Sequence, residues 1–255
     1  MTLNYKEYGQ GEPLIILHGL FGTLDNWQTL AKQWAAHYTV FAIDLRNHGR
    51  SPFADTHTYA DLADDLNEFM EAHWIHRTHL LGHSMGGKVA LKFLTEYEDK
   101  IDRLVVVDIG TKAYAGGHEK VFEALFSVDL ATQQDRKQIA EQLALYLRDD
   151  NSTLQFLLKN LSRNPETALL EWKMNLPVLH QYYSEILGEI RIPKPIATPT
   201  LFVRGSRSNY ISDADFLHLK TDFPNAELAT IPDAGHWVHA ENGAALFTEI
   251  NRFLG

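Results

Sequence analysis

The stretch LLGHSMGGKV, residues 80–89, places a serine between glycines at a fixed spacing. Gly82, Ser84 and Gly86 match the pattern G-x-S-x-G, in which a sharp turn between a strand and a helix exposes the serine hydroxyl. Side chains two residues on either side of the serine would clash in so tight a turn, which explains both glycines. The spacing predicts that Ser84 is a nucleophile; the alternative is a glycine-rich turn with a solvated serine.

A serine nucleophile needs a base, and the chain offers thirteen histidines. His236 is the best candidate because it lies in IPDAGHW, directly after the last predicted strand, where it can return to the mouth of a sheet. His239, three residues on, is its rival, and His83 adjoins the serine with its side chain directed elsewhere. Three further histidines around a helix-to-strand connection are expected at the surface or in the core: His73, His76 and His79.

Acyl transfer also requires hydrogen-bond donors for the oxyanion that develops on the carbonyl oxygen. An early apolar run ends in His18-Gly19, a pair that lets the following loop fold beside the serine turn. We therefore predict that the backbone N–H groups of Leu20 and Met85 form this donor pair. The alternative is an ordinary strand-to-helix loop.

The composition limits the class of protein. The chain has 255 residues, 45% of them hydrophobic, no cysteine, and a net charge of −10 from 23 basic and 33 acidic residues. This length allows one or two domains, and α/β domains of this size often form a single core. No thiolate site is available, and the acidity disfavours nucleic acid and anionic membranes as partners. The start of the sequence lacks a signal peptide's apolar region, and no apolar run is long enough to span a bilayer. We expect a soluble, cytoplasmic protein.

Short apolar runs alternate with helical patterns along most of the chain. The predicted strands are Leu14–Leu17, Thr39–Ile43, His79–Leu81, Leu104–Val107, Leu201–Val203 and Leu228–Ile231. Apolar residues at helical spacing lie between them, as in Leu62, Leu66, Phe69 and Met70. Nearly continuous apolar strands are typical of a sheet covered on both faces. The pattern therefore predicts an α/β fold with a mostly parallel central sheet and helices on both faces.

The alternation stops between residues 114 and 190, which read as all-helical. The predicted helices are Val121–Phe126, Ile139–Leu147, Leu154–Leu161 and Leu179–Leu187. A proline-rich stretch then leads back into a strand. We predict a core of residues 1–113 and 191–255, with 114–190 as a helical cap inserted after the strand that ends at Asp108. The alternative is that these helices pack on the sheet like the others.

Four strings in order and spacing resemble the α/β-hydrolase superfamily along nearly the whole chain: HGLFG from His18, DLRNHGRS from Asp44, GHSMGG from Gly82 and the Gly235-His236 pair. The longer strings HGLFG, LDNW, RNHG, GHSMGGK and AGHWVHAE are more closely similar to bacterial acyl esterases of the YbfF type. The resemblance implies an α/β-hydrolase fold with an inserted cap, and serine ester hydrolysis, with acyl thioesters as a further substrate class.

The acid that should orient the histidine is missing from its usual place. In the commonest version of the superfamily it occupies the last position of a G-x-x-D turn after the cap, which here is Gly205-Ser206-Arg207-Ser208. A serine hydroxyl can hydrogen-bond a histidine or a carboxylate but supplies no charge. Ser208 is therefore predicted only as a supporting residue, and the alternative is a turn-forming serine.

Asp108 follows four apolar residues at the end of the strand expected beside the serine strand. We predict that it is the acid, and YbfF-type enzymes resemble this arrangement. The alternative is a strand-end aspartate that caps the next turn. The other acids have simpler explanations, because Asp213 and Asp215 suit a helix start and Asp233 suits a turn.

The pocket is expected between sheet and cap, with Leu20, Phe21 and Trp237 as liners. Other candidate liners are the cap aromatics Phe122, Phe126, Trp172, Tyr182 and Tyr183, most of which are expected to pack internally. Lys88 and Arg207 could meet an anionic leaving group such as coenzyme A, although solvated surface charges are the simpler interpretation. An apolar wall suits an acyl chain.

These residues predict a serine esterase that hydrolyses short-to-medium acyl esters, and acyl-CoA thioesters as a further class, through an acyl-enzyme, with no metal or cofactor. Perhydrolase or carbon–carbon bond hydrolase chemistry would use the same triad and stays open. Dehalogenase or epoxide-hydrolase chemistry is opposed by the serine at Ser84. A non-catalytic binding protein is the alternative of a different class. The sequence predicts no oligomeric state.

Overall fold

The computed structural model describes residues 1–132, 135–148 and 150–255. Its strands are β1 (Tyr5–Tyr8), β2 (Glu12–Leu17), β3 (Tyr38–Ile43), β4 (Thr78–His83), β5 (Ile101–Val107), β6 (Leu161–Arg163), β7 (Leu170–Trp172), β8 (Thr200–Gly205) and β9 (Glu227–Ile231). Its α-helices are α1 (Gln28–Trp34), α2 (Tyr59–Ala72), α3 (Met85–Glu96), α4 (Glu119–Phe126), α5 (Arg136–Ala144), α6 (Asn151–Leu158), α7 (Leu176–Gln181), α8 (Tyr183–Leu187), α9 (Asp213–Asp222), α10 (Val238–Glu241) and α11 (Gly243–Leu254). None of these helices combines the length and apolar character needed to cross a bilayer.

The central sheet has seven strands in the order β1-β3-β2-β4-β5-β8-β9. All neighbours in it are parallel except β1, which runs antiparallel to β3 at the edge. The six predicted strands and the mostly parallel sheet are confirmed. Strand β1 was not predicted, because its residues YKEY are half-buried or exposed and so lack the continuous apolar pattern of the inner strands. Since β4, β5, β8 and β9 are parallel, the loops that follow them lie together at the carboxyl ends of these strands.

The two faces of the sheet bury separate apolar layers. Leu14 and Ile16 of β2 pack with Trp27 on the face covered by α1 and α11, whereas Ile15 and Leu17 pack on the face covered by α2 and α3. All four of these strand side chains are at most 1% exposed. Alternate residues of one strand point to opposite faces, and helices cover both of them. This burial accounts for the nearly continuous apolar strands of the sequence.

The segment between β5 and β8, residues 114–190, is called the cap here, and it is not all-helical as predicted. Helices α4 to α8 are accompanied by an antiparallel ribbon of β6 and β7. The helix predicted over Leu154–Leu161 ends at Leu158, and the one predicted over Leu179–Leu187 is two short helices. Asn164 explains the ribbon, because its side-chain oxygen accepts hydrogen bonds from the N–H groups of Glu166 and Thr167 and so closes a turn before a new strand.

Candidate active site

Ser84 lies in the turn that joins β4 to α3. Its backbone has φ 52° and ψ −120°, a conformation that is strained for a residue with a side chain. A Cβ atom at Gly82 would collide with the carbonyl of Gly86, and one at Gly86 would collide with the carbonyl of His18. The Ser84 N–H donates to the Val107 carbonyl at 2.9 Å, which ties the turn to β5. The two glycines therefore allow the turn that places the serine at the end of the sheet.

His236 lies in the loop after β9 and reaches the serine. Its Nε2 is 3.0 Å from Ser84 Oγ, and its Nδ1 is 2.8 Å from Asp108 Oδ2. A carboxylate only accepts, so the geometry fits a tautomer in which Nδ1–H donates to Asp108 and Nε2 accepts the serine hydroxyl. In this arrangement the imidazole can take the serine proton.

Asp108 is fully buried at the end of β5, with a φ of 55°. Its Oδ1 accepts the Gly205 N–H at 3.1 Å, and its Oδ2 accepts the Ser208 hydroxyl at 2.5 Å as well as the histidine. Burial of a carboxylate is costly unless hydrogen bonds compensate it, and three donors do so here. The turn Gly205–Ser208, which has no carboxylate of its own, therefore binds the Asp108 carboxylate at the end of the neighbouring strand.

The residues considered from the sequence as alternatives to Asp108 and His236 have other partners. Asp213 pairs with Arg204, Asp215 binds Ser212 at the start of α9, and Asp233 is exposed in a turn. His239 stacks on Trp27, with ring centroids 4.7 Å apart. His83 Nε2 donates to the His236 carbonyl at 2.9 Å, behind the imidazole.

The predicted oxyanion donors belong to two segments that line the cavity at Ser84. Leu20 follows the His18-Gly19 pair after β2, and Met85 is the first residue of α3. Neither backbone N–H has an acceptor among the residues that the structure describes. Both residues line the cavity in front of Ser84. The two N–H groups are therefore available to a ligand oxygen there.

Ser84 stands where two cavities meet. The larger lobe, of about 360 Å³, is walled by apolar and aromatic side chains: Tyr59, Ile109, Tyr114, Ile186, Leu187 and Tyr210. The smaller lobe, of about 220 Å³, is lined by His236, Phe21, Trp237 and Phe156. Leu20 and His118 line both lobes, and burial lowers the pKa of His118 to about 4, so this side chain is neutral at pH 7.

Some of the residues predicted to line the pocket do line one of the two lobes, and others do not. Phe21 and Trp237 line the smaller lobe and Tyr183 lines the larger one. Phe122 instead packs edge-on against Phe21, and Phe126 is about half exposed. Tyr210 was missed, although it lies two residues after Ser208 in the turn that the sequence analysis singled out.

Lys88 is not the solvated surface charge that we expected. It is 1% exposed in the wall of the larger lobe, and its ammonium donates to the backbone carbonyls of Lys112, Leu187 and Gly188. Burial lowers its pKa to about 8. This burial was not predicted because all three acceptors of the ammonium's hydrogen bonds are backbone carbonyls, which no side-chain pattern reveals. Arg207 is exposed and pairs with Glu241, as a surface charge would.

The chain is similar to known proteins in sequence and in fold. Residues 12–243 match the family described as alpha/beta hydrolase fold. The chain is 36% identical to esterase YbfF of Escherichia coli over 95% of this chain and 92% of that protein. It is 35% identical to the sn-1-specific diacylglycerol lipase ABHD11 of Danio rerio, over 96% of this chain and 79% of that protein.

Among solved structures, one described as a marine microorganism esterase superposes with a TM-score of 0.95. It is 39% identical to this chain, and the match covers 98% of each chain. Together with the strand order and the serine turn, these relatives show that the chain belongs to the alpha/beta hydrolase fold family and is a carboxylic ester hydrolase similar to esterase YbfF.

Proposed function

We propose that this protein hydrolyses short-to-medium acyl esters through an acyl-enzyme on Ser84, with His236 as base and Asp108 as acid. The observation that carries the proposal is the unbroken chain of hydrogen bonds from Ser84 Oγ through His236 to Asp108 Oδ2, at 3.0 and 2.8 Å. At its Ser84 end it adjoins the cavity lined by Leu20 and Met85, whose backbone N–H groups have no acceptor within the described residues. Nucleophile, base, orienting acid and oxyanion donors are the parts that acyl transfer needs.

The reaction proceeds in two halves. His236 Nε2 takes the proton of Ser84 Oγ as this oxygen bonds to the ester carbonyl carbon, and the carbonyl oxygen becomes negative between the N–H groups of Leu20 and Met85. The ester C–O bond then breaks, and His236 returns the proton to the departing alcohol. Water repeats the cycle: it loses a proton to His236, bonds to the acyl carbon, and releases Ser84 with that proton.

The two lobes suggest where the substrate's halves bind. The imidazole must reach the leaving oxygen, and His236 lines the smaller lobe, so we assign the alcohol to that side. The acyl chain then occupies the larger, more apolar lobe. Its volume of about 360 Å³ is near the lower end of the roughly 300–1,000 Å³ typical of ligand pockets, which favours short-to-medium chains.

Ser208 is assigned a supporting role. Its hydroxyl donates to the same Asp108 oxygen that accepts from His236. This bond stabilises the buried carboxylate without adding a charge. The role explains why the turn can lack an acid of its own.

A groove beyond the smaller lobe favours acyl thioesters with an anionic leaving group as a second substrate class. The groove, of about 970 Å³, starts at Phe156 and Trp237 and carries three cations on its cap side, Arg136, Lys159 and Lys173. The two carboxylates that line the same groove already have partners, since Asp25 pairs with Lys6 and Glu241 with Arg207. The groove wall therefore suits the phosphates of coenzyme A.

The primary test uses p-nitrophenyl esters with acyl chains of two to ten carbons and a fluorophosphonate probe. We expect hydrolysis by the unmodified chain, one adduct mapped to Ser84, and loss of activity in Ser84→Ala on the order of 10⁶-fold, by analogy with serine proteases. Ser206→Ala, an exposed serine of the 205–208 turn, is the matched control and should keep full activity. A folded protein that forms no adduct and hydrolyses no ester would refute the proposal.

The thioester assignment is tested separately with acyl-CoAs of the preferred chain length. Lys159→Ala combined with Lys173→Ala should raise KM for the acyl-CoA several-fold and leave the p-nitrophenyl ester unaffected. Equal effects on both substrates would show that the groove does not contact the leaving group.

A further inference from the structure

The loop that carries the Leu20 N–H has an unusual residue at its third position. The Gly22 N–H donates to the Gly19 carbonyl at 2.9 Å, so residues 19–22 form a closed turn. Phe21, the third residue, has a φ of 58°. Turns with a positive φ at this position normally carry glycine there. The phenylalanine must therefore be held by contacts from outside the turn.

Two side chains from distant parts of the sequence bind the backbone of Phe21, one at its carbonyl and one at its N–H. Asn160 Nδ2, just after α6 in the cap, donates to the Phe21 carbonyl at 2.6 Å. The Phe21 N–H donates to His48 Nε2 at 3.3 Å. His48 is neutral at pH 7, because burial lowers its pKa to about 3, and its Nδ1–H donates to the Arg46 carbonyl. Its Nε2 is therefore free to accept.

Asn160 and His48 belong to a set of backbone contacts that joins the cap to the core. The Asn160 carbonyl accepts the Lys173 N–H at 2.7 Å, and the Lys173 carbonyl accepts the Gly49 N–H at 2.6 Å. His48 and Met174 form an isolated antiparallel bridge beside them. Asn160 and His48 are 2% and 0% exposed, so water does not compete for these bonds.

We propose that Asn160 is a positioning residue through which the cap fixes the oxyanion donor. This inference rests on the proposed function. The peptide that carries the Leu20 N–H lies one residue before Phe21, in the same turn. If the Asn160 bond is lost, Phe21 can relax toward a negative φ, and the Leu20 N–H then turns away from the carbonyl oxygen above Ser84. The cap is thus needed for turnover, through the Asn160 bond to Phe21, as well as for enclosing the substrate.

Asn160→Asp is the direct test, because it keeps the shape of the side chain and replaces the donating amide by an acceptor. We expect kcat to fall about 10- to 100-fold with KM changed less than twofold, a smaller loss than the roughly 10²–10³-fold seen when an oxyanion donor itself is removed. Binding of a trifluoromethyl ketone, whose adduct places an oxyanion in the same site, should weaken by the same factor. If the Asp variant does not fold, Asn160→Ala removes the donor without adding a carboxyl group.

Asn175→Asp is the matched control. Asn175 also joins the cap to the core, since its Nδ2 donates to Asn47 Oδ1 at 3.1 Å and to the Ala54 carbonyl at 3.3 Å, and it makes no hydrogen bond to Phe21 in the described part of the chain. The kcat of Asn175→Asp and its affinity for the ketone should stay within about twofold of the unmodified chain. A general weakening of the cap would change both values by more than twofold. Equal losses in both variants would overturn the positioning role.

A readout without catalysis separates this inference from the proposed function. Amide hydrogen exchange at Phe21 and Gly22 should accelerate in Asn160→Asp and remain unchanged in Asn175→Asp. Unchanged exchange at these amides, or an unchanged kcat, would refute the positioning role. An unmodified chain that hydrolyses no ester would refute the proposed function, and the exchange comparison would still decide whether Asn160 holds the turn.

Discussion

The ring of Tyr210 stacks on the imidazole of His236, with centroids 4.0 Å apart and planes inclined by 16°. The Tyr210 backbone is fixed on both sides, because its carbonyl accepts the Tyr114 hydroxyl at 3.0 Å and its N–H donates to Ser208 Oγ at 3.3 Å. The face of an aromatic ring attracts a cation, and His236 becomes one in the proposed reaction. We therefore predict that Tyr210 both orients His236 and stabilises its charged form.

Replacing Tyr210 by leucine should remove the stacking and lower kcat/KM about 2- to 30-fold, which corresponds to a cation–π contact of about 0.5–2 kcal/mol. Tyr210→Phe keeps the ring and should stay close to the unmodified chain. Steady-state kinetics on one p-nitrophenyl ester measure both variants. Equal losses in the two would assign the effect to the hydroxyl and not to the stacked face.

Asp108→Asn should keep the fold and lower kcat by up to roughly 10⁴-fold, by analogy with serine proteases, because the amide cannot stabilise the imidazolium. Asp213→Asn is the matched control, since Asp213 is exposed and pairs only with Arg204 in the described chain. Circular dichroism checks the fold and ester hydrolysis checks the rate. Near-full activity of Asp108→Asn together with a large loss in Asp213→Asn would reassign the acid.

Much of this site could be predicted because Ser84 and Asp108 directly follow strands and His236 lies in the loop after a third strand. Ser84 and Asp108 come at the ends of β4 and β5, which pair in parallel, so their proximity follows from the sheet. His236 follows β9 at the same edge. The missing acid at Ser208 was itself informative, since it directed the search to an earlier strand.

The contacts between cap and core could not be predicted in this way. Asn160 and Phe21 are 139 residues apart and carry no shared motif, and the bond runs to a backbone carbonyl. The burial of Lys88 depends likewise on backbone carbonyls. Hydrophobic patterns predict which face of an element is buried, but they do not indicate which buried polar side chain binds which backbone group.

Ser208→Ala should reduce kcat modestly, by about 3- to 30-fold, because Asp108 loses one of its three donors while its contact to His236 remains. Ser206→Ala in the same turn is exposed and should have no effect. The comparison uses kcat with one ester at saturation. An unchanged rate in Ser208→Ala would leave this serine with a turn-forming role only.

Buried histidines should make the fold sensitive to acid. Burial lowers the pKa of His18 to about 4 and of His48 to about 3, and it holds the pKa values of His57 and His83 well below the usual 6.5. In the unfolded chain these groups take up protons below about pH 6.5, whereas in the folded chain they stay neutral. The free energy of unfolding should therefore fall as the pH drops from about 6.5 toward 4, by about 1.4 kcal/mol per pH unit for each proton taken up.

His57→Gln isolates one of these groups. Within the described residues the His57 ring makes two long hydrogen bonds, to Asn47 Nδ2 and Met85 Sδ, both at 3.4 Å, so a neutral polar side chain of similar size should preserve the fold. Urea unfolding between pH 7 and 4.5 should then show a pH slope that is shallower by about one proton, because the variant no longer binds that proton when it unfolds. Parallel curves for the two proteins would mean that His57 is already protonated in the folded state.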